Sequence, residues 1–273
     1  MRVFWIAASI FLAGCGSPAA EQADGQSAPA AFEGVLVRNA SAHIAHGERI
    51  ADVLGCRGCH GADLQGRKFD DDPSGYGVLW APNLTRSMAT MSDSQFEALM
   101  RRGIHPERPK LWVMPSENFQ HLSKDDMRAL RLYLRSFPPS GQPSPPPLLG
   151  PRAIAEEAEG KVKPAAVLVR ETASVLPADV GRAHARGRYI AAVACGECHG
   201  AALEGREGDT PNLDIVGAYS AEQFATLMRT GAPVGGRDLG LMAQVARSRF
   251  TKLTDREVAE LYAYLHARAL RPQ

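Results

Sequence analysis

The chain has 273 residues, 45% of them hydrophobic and 22% charged, which is ordinary for folded protein and long enough for two domains of about 100 residues. Its formal net charge of +1 argues against a broad nucleic-acid-binding surface, because such a surface needs concentrated basic charge. Composition therefore predicts a globular protein with no nucleic-acid partner.

Residues 1–14 predict an export signal, because one basic residue is followed by an apolar run that is too short to span a bilayer as a mature helix. The ending "LAGC" resembles a bacterial lipobox, which implies cleavage before Cys15 and lipid attachment to it. A plain signal peptide with an incidental cysteine is the alternative. Residues 15–32 are small and polar and predict a flexible tether. The implied location is the periplasmic side of a bacterial membrane, and Gly16 favours the outer membrane by resemblance to lipoprotein sorting rules.

The first predicted helix ends in a cysteine-and-histidine motif. Ile50 and Leu54 share a face at helical spacing, and this helix runs directly into "CRGCHGADLQGR", which begins at Cys56. C-x-x-C-H is the attachment signal for c-type haem, and export to an oxidising compartment fits that chemistry. The motif predicts that Cys56 and Cys59 bind the porphyrin covalently and that His60 is the proximal iron ligand.

Two more helices are predicted after the motif. Phe96 and Met100 belong to an apolar stripe, and Gly103 is a natural stop for that helix. The last helix begins with Ser123 and Asp126, an arrangement that can cap free amides. Since no strand-period run of convincing length is present, the sequence predicts an all-α unit with long loops.

The motif and the helices return beyond a proline-rich stretch, "PPSGQPSPPPLLGP", which favours extended polyproline II. The segment after the prolines is expected to form an exposed helical turn or a strap. "CGECHGAALEGR", "SAEQFATLMRTG" and "KLTDREVAELYAYLHA" then repeat the earlier phrases in the same order. This tandem duplication predicts a first domain at 33–137, a linker at 138–163 and a second domain at 164–270. In the second copy, Cys195 and Cys198 are the predicted haem attachment and His199 the proximal ligand.

A zinc site made from four cysteines, or a pair of redox-active C-x-x-C sites, is the alternative interpretation of the motifs. Paired zinc knuckles usually lie within a few tens of residues of one another, whereas these pairs lie in separate copies, each with its own histidine. The spacing therefore favours haem.

Each copy resembles a class I cytochrome c domain, with an N-terminal helix, C-x-x-C-H, a proline-containing loop, a distal methionine and a C-terminal helix. The resemblance implies an all-α fold wrapped around one covalent haem c in each domain. It also implies that a glycine of the first helix packs on an aromatic residue of the last, the pairs being Gly47 with Tyr133 and Gly187 with Tyr264. Finally, it implies that the carbonyls of Pro82 and Pro211 accept hydrogen bonds from the proximal histidines, which orients those ligands.

The sixth iron ligand is predicted from the repeat, because a shared ligand should occur in both copies. The first domain offers several candidates: Met88, Met91, Met100, Met114, Met127, His105 and His121. Two pairs survive the comparison, Met100 with Met228 and Met114 with Met242. The first pair lies in a helical stripe that is typical of core packing. Met114 and Met242 are therefore the predicted axial ligands.

Other residues near the motifs have weaker assignments. Arg67 and Arg206 follow the same phrase in both copies and are predicted to pair with haem propionates, with solvated loop arginines as the alternative. His43, His46 and His184 have no counterpart in the other copy and are expected at the surface.

Histidine and methionine ligation leaves no open position on the iron and favours single-electron transfer over catalysis. The sequence therefore predicts a lipid-anchored dihaem electron carrier, not an enzyme, whose partners are redox proteins such as a dehydrogenase, a cytochrome complex or an oxidase. One alternative is a dihaem cytochrome c peroxidase-like enzyme, which needs one displaceable distal ligand. Another is a cytochrome subunit of a dehydrogenase complex, although such subunits commonly carry three haem motifs. A haem-based sensor is disfavoured, since the sequence offers no output domain.

Overall fold

The computed structural model describes residues 30–34 and 39–272. The predicted signal peptide, Cys15 and most of the predicted tether lie outside these residues. The helices are α1 Ala40–Val53, α2 Cys56–His60, α3 Leu84–Thr90, α4 Asp93–Arg102, α5 Ser116–Phe119, α6 Lys124–Arg135, α7 Pro151–Ala158, α8 Ala165–Thr172, α9 Ala185–Ile190, α10 Gly196–His199, α11 Ala221–Thr230, α12 Leu241–Ser248 and α13 Asp255–Ala269. The chain is mostly helical, and the predicted all-α class is confirmed.

Each domain is built on a close crossing of its first and last helices. In the first domain α1 packs on α6, where a Cβ on Gly47 would overlap the carbonyl oxygen of Ala129 and the Cβ of Tyr133. In the second, α9 packs on α13, and a Cβ on Gly187 would overlap the Cβ of Tyr264. Apolar side chains of these helices are buried, including Ile50 and Leu54, which were predicted to share a face: Ile50, Val53, Leu54, Met127, Leu130, Leu134, Val258, Leu261 and Leu265.

The route from the first helix to the cysteines differs between the domains. In the first, Gly55 adopts a left-handed conformation (φ +75°) and separates α1 from α2. The second copy has one residue fewer before its first cysteine, and α9 continues through a π-helical turn, Ala191–Cys195, directly into α10. The second copy therefore reaches its first cysteine by a continuous helix with one wide turn, without a left-handed glycine.

Helix caps agree with the sequence in most places. Ser92 and Ser220 begin α4 and α11 with complete capping boxes, and Thr254 with Glu257 does the same for α13. At α6 only half of the box forms, because Ser123 accepts the Asp126 amide while the Asp126 carboxylate binds other donors.

A small antiparallel sheet is the main departure from the sequence prediction. Strands β1 Arg67–Asp72 and β2 Gly77–Ala81 form a hairpin, and β3 Leu148–Leu149 from the linker pairs with β2. The second copy is shorter at this point, and in the described residues it has an isolated bridge between Arg206 and Thr210 instead. The hairpin is thus an insertion in the first domain.

The proline-rich linker runs over the first domain and is held there. The Asn83 side-chain amide donates to the carbonyls of Ser140 (2.8 Å) and Gln142 (3.1 Å). The segment after the prolines is the strap expected from the sequence, with α7 as its helix. Helix α8 packs on α4 and α5, so its contacts are with the first domain although the predicted boundary assigns it to the second.

The expectation that His46 lies at the surface is wrong. His46 is buried, and its Nε2 donates to the Asp126 carboxylate at 2.8 Å. The same carboxylate accepts the Phe32 amide (3.0 Å) and the Tyr189 hydroxyl (2.7 Å), so it links the two domains. His43 and His184 are half-buried.

Over residues 30–34 and 39–272, no helix is long and apolar enough to cross a membrane.

Candidate functional site

The proximal histidine of each domain is oriented by a backbone carbonyl. His60 lies at the end of α2, and its Nδ1 donates to the Pro82 carbonyl at 2.8 Å. His199 ends α10, and its Nδ1 donates to Pro211 at 2.9 Å. A carbonyl oxygen only accepts, so Nδ1 carries the proton and Nε2 keeps a free lone pair. Both rings are therefore oriented to offer Nε2 to a metal.

The surroundings of both histidines favour the neutral ring. Burial lowers the pKa of His60, and the hydrogen bond to Pro82 opposes that shift. Burial likewise lowers the pKa of His199. Since a metal ligand must be the unprotonated imidazole, this environment suits ligation.

A duplicated turn after each histidine places the loop that carries the proline. Leu64 and Leu203 adopt the left-handed conformation (φ +60° and +63°) and are buried. The Leu64 carbonyl accepts the Leu84 amide at 2.8 Å, and Leu203 accepts Leu213 at 3.0 Å. Non-glycine residues rarely adopt this conformation, so its occurrence at equivalent positions marks a constrained turn. The sequence signal for this turn is the phrase "HGA-x-L-x-G", which occurs in both copies.

A large cavity adjoins the motif of the first domain. It contains about 1300 Å³ of empty space, including its open mouth, and Cys56, Cys59, His60 and Pro82 line it together with many apolar side chains. The apolar walls, two thiols, the His60 imidazole and several thioether sulfurs are the donor set and surroundings that a covalently attached haem requires. The residues present fit haem c.

Met114 lines this cavity and is half-buried just before α5, but it is not alone there. Met88, Met91 and Met100 also line the cavity, as does His105. In the second domain, Met242 lies in the first turn of α12 and is half-buried. The choice of Met114 and Met242 as iron ligands stays a prediction.

The alternatives of zinc and thiol redox chemistry fit poorly. Burial raises the pKa of both Cys56 and Cys195 to about 12, whereas a redox-active C-x-x-C pair needs a thiol with a lowered pKa. Among the described residues, no group of three or more His, Cys, Asp or Glu side chains is placed to hold a metal ion. The raised pKa of the buried thiols therefore argues against a redox-active pair.

The two predicted propionate partners lie in different settings. Arg67 begins β1 and is exposed, while Arg206 is exposed and donates from Nη2 to the Glu197 carbonyl at 2.7 Å. Their pairing with propionates stays a prediction.

Sequence reasoning missed two residues of the second domain that reach the first-domain cavity. Glu197 and Arg249 line it beside Cys56 and Cys59. Neither residue carries a signal within its own copy, because the contact depends on how the domains pack.

Comparison with known proteins finds the same family in both halves of the chain. The model of the cytochrome c family matches residues 44–138 and 184–268. The chain is 25% identical over 261 residues to the fructose dehydrogenase cytochrome subunit of Gluconobacter japonicus, covering 84% of this chain and 54% of that protein. It is also 25% identical over 266 residues to a dihaem cytochrome c-type protein of Cereibacter sphaeroides, covering 84% of this chain and 87% of that protein.

Proposed function

This chain belongs to the cytochrome c family, with two domains and two covalently bound haem c groups that serve electron transfer, and we propose that it relays single electrons between redox partners on the periplasmic side of a bacterial membrane. The observation that carries the proposal is the oriented neutral histidine in each domain, His60 and His199. In the first domain this histidine lines an apolar cavity together with methionine side chains.

The haem iron supplies the one-electron redox chemistry, and the protein holds and shields it. Cys56 and Cys59 would anchor one haem and Cys195 and Cys198 the other. The Pro82 carbonyl keeps His60 in the tautomer that can bind iron. With Met114 and Met242 as distal ligands, neither iron would offer an open position to oxygen or peroxide.

A dehydrogenase is the proposed electron donor. One relative is the cytochrome subunit of fructose dehydrogenase, and this chain spans about half of that protein's length, 54%. A cytochrome complex or an oxidase is the proposed acceptor. The same relative favours a second candidate function, in which the chain is itself the cytochrome subunit of a dehydrogenase complex.

Attachment to the membrane through lipid on Cys15 is part of the proposal, and the lipobox-like "LAGC" supports it. In Cys15→Ser the mature protein should move from the membrane fraction to the periplasmic extract, whereas the parent should stay with the membrane. Equal membrane retention of both proteins would remove the anchor from the account.

The relay itself is tested by the spin state of the purified oxidised protein. Both irons should be low-spin, both should be reduced and reoxidised reversibly, and hydrogen peroxide should not be turned over. A high-spin ferric component that consumes peroxide would favour the peroxidase-like alternative.

A further inference from the structure

The two haem-attachment turns, Cys56–His60 and Cys195–His199, are bridged by one arginine. Arg249 Nη1 donates to Glu197 Oε2 at 2.9 Å, and Glu197 lies between the two cysteines of the second turn. Both side chains also line the first-domain cavity beside Cys56 and Cys59. The pair therefore contacts both attachment turns.

Glycine at the first turn makes room for this arginine. A Cβ on Gly55 would overlap the Arg249 guanidinium, and Gly55 also has a left-handed backbone (φ +75°) that disfavours other residues. The equivalent residue of the second copy is Ala194. The glycine thus allows the arginine of one domain to lie directly on the turn of the other.

A residue of the first domain also lies against the second turn, although at a different position of that turn. Asn118 of the first domain lies against the second turn, where a Cβ on Gly196 would be 2.6 Å from Asn118 Oδ1. Asn118 and Arg249 are equivalent in the repeat, since each directly precedes a buried phenylalanine, Phe119 or Phe250. Asn118 is buried, and its Nδ2 has no hydrogen-bond partner among the described residues.

The rest of the interface is reciprocal as well. The Tyr189 hydroxyl donates to the Asp126 carboxylate at 2.7 Å, and Arg49 Nη1 donates to Glu257 Oε2 at 2.6 Å. Both acceptors are the third residue of the last helix of their domain, and both donors lie two residues after the glycine of the first helix. Equivalent positions therefore pair across a pseudo-two-fold axis, as in an isologous dimer interface.

We propose that Arg249, paired with Glu197, is a positioning residue that holds the two attachment turns in contact, so that electrons move between the haems inside one chain across this contact. The proposal rests on the relay function proposed above. The step transfers one electron, which oxidises the group in one domain and reduces its counterpart in the other, and no bond or proton changes. The external redox partner supplies and removes the electron.

The test uses half-reduced holoprotein and measures the interhaem exchange rate by NMR exchange spectroscopy. Arg249→Ala and Glu197→Gln each remove the ion pair. Either change should slow exchange by about tenfold, because loss of one such interaction raises the free-energy barrier to electron exchange between the haems. Arg249→Lys keeps the charge and should restore part of the rate. Lys163→Ala is the matched control, because it removes an exposed ion pair with Glu171 of α8, away from both attachment turns, and should leave the rate unchanged.

Undiminished exchange in both Arg249→Ala and Glu197→Gln would overturn this inference alone. Thermal unfolding of the same samples distinguishes a positioning role of Arg249 from a purely stabilising one. If the ion pair only stabilised the fold, the variants would have a lower melting temperature but an unchanged exchange rate. Inability of either haem in the parent protein to accept an electron from an external reductant would instead overturn the relay function.

Discussion

His60 and His199 show how single residues define this site. Each is one residue beyond a cysteine in its motif, so its assignment as a proximal ligand could be predicted from local sequence. The hydrogen-bond acceptors of these histidines, Pro82 and Pro211, could also be predicted. The family resemblance implies a proline acceptor, and each copy has a proline at the matching place. Arg249 and Glu197 could not be predicted in this way, since their contact with the first turn depends on the packing of two domains.

Met114 and Met242 are tested by replacing each separately with alanine. Each change should make one haem high-spin and lower its reduction potential, because a thioether ligand favours ferrous iron. Optical and EPR spectra with a potentiometric titration measure both effects.

The matched controls are Met100→Leu and Met228→Leu, which keep the volume of buried side chains and should leave both irons low-spin. If a control variant produces the high-spin haem instead, the ligand assignment is wrong.

At the scale of elements, the helices with a clear apolar stripe were predictable, whereas the sheet and the short helices of the loops were not. The apolar stripes of α4 and α6 have helical spacing, and their caps are encoded locally. β1 is acidic and exposed, with no alternation, and it becomes a strand through pairing with β2, whose residues alternate between buried and half-buried. A short strand of this kind forms through pairing with its neighbour, so its own residues show no alternation of apolar and polar side chains that would predict a strand.

The crossing of α1 and α6 is tested by Gly47→Ala. The added Cβ meets the Ala129 carbonyl, which is backbone and cannot rotate away, so the helices must separate. We expect a loss of about 1–3 kcal/mol in the free energy of unfolding, measured by urea denaturation.

Gly58→Ala is the control, because its Cβ would meet nothing closer than 4.0 Å. It should change the free energy of unfolding by no more than about 0.5 kcal/mol. Equal stability of Gly47→Ala and the parent would show that the helices do not cross as closely as described.

For the whole molecule, the duplication predicted two domains but not their arrangement. Equivalent residues pair across the interface, Tyr189 with Asp126 and Arg49 with Glu257, although they differ in chemistry. Because the paired side chains differ in chemistry, aligning the sequences of the two copies does not reveal the pseudo-two-fold symmetry of the interface. The linker was expected to be extended and then to form a helical turn or a strap, and what the sequence did not predict is that its strand β3 pairs with β2 of the first domain.

The central claim is that both domains carry single electrons on six-coordinate iron. Its most direct test is an anaerobic reductive titration of the oxidised holoprotein that counts electrons while optical and EPR spectra report spin state. We expect two electrons per chain, one for each family domain, to be taken up and returned reversibly with both irons low-spin throughout. Uptake of one electron, or a second iron that is high-spin and reacts with peroxide, would contradict it.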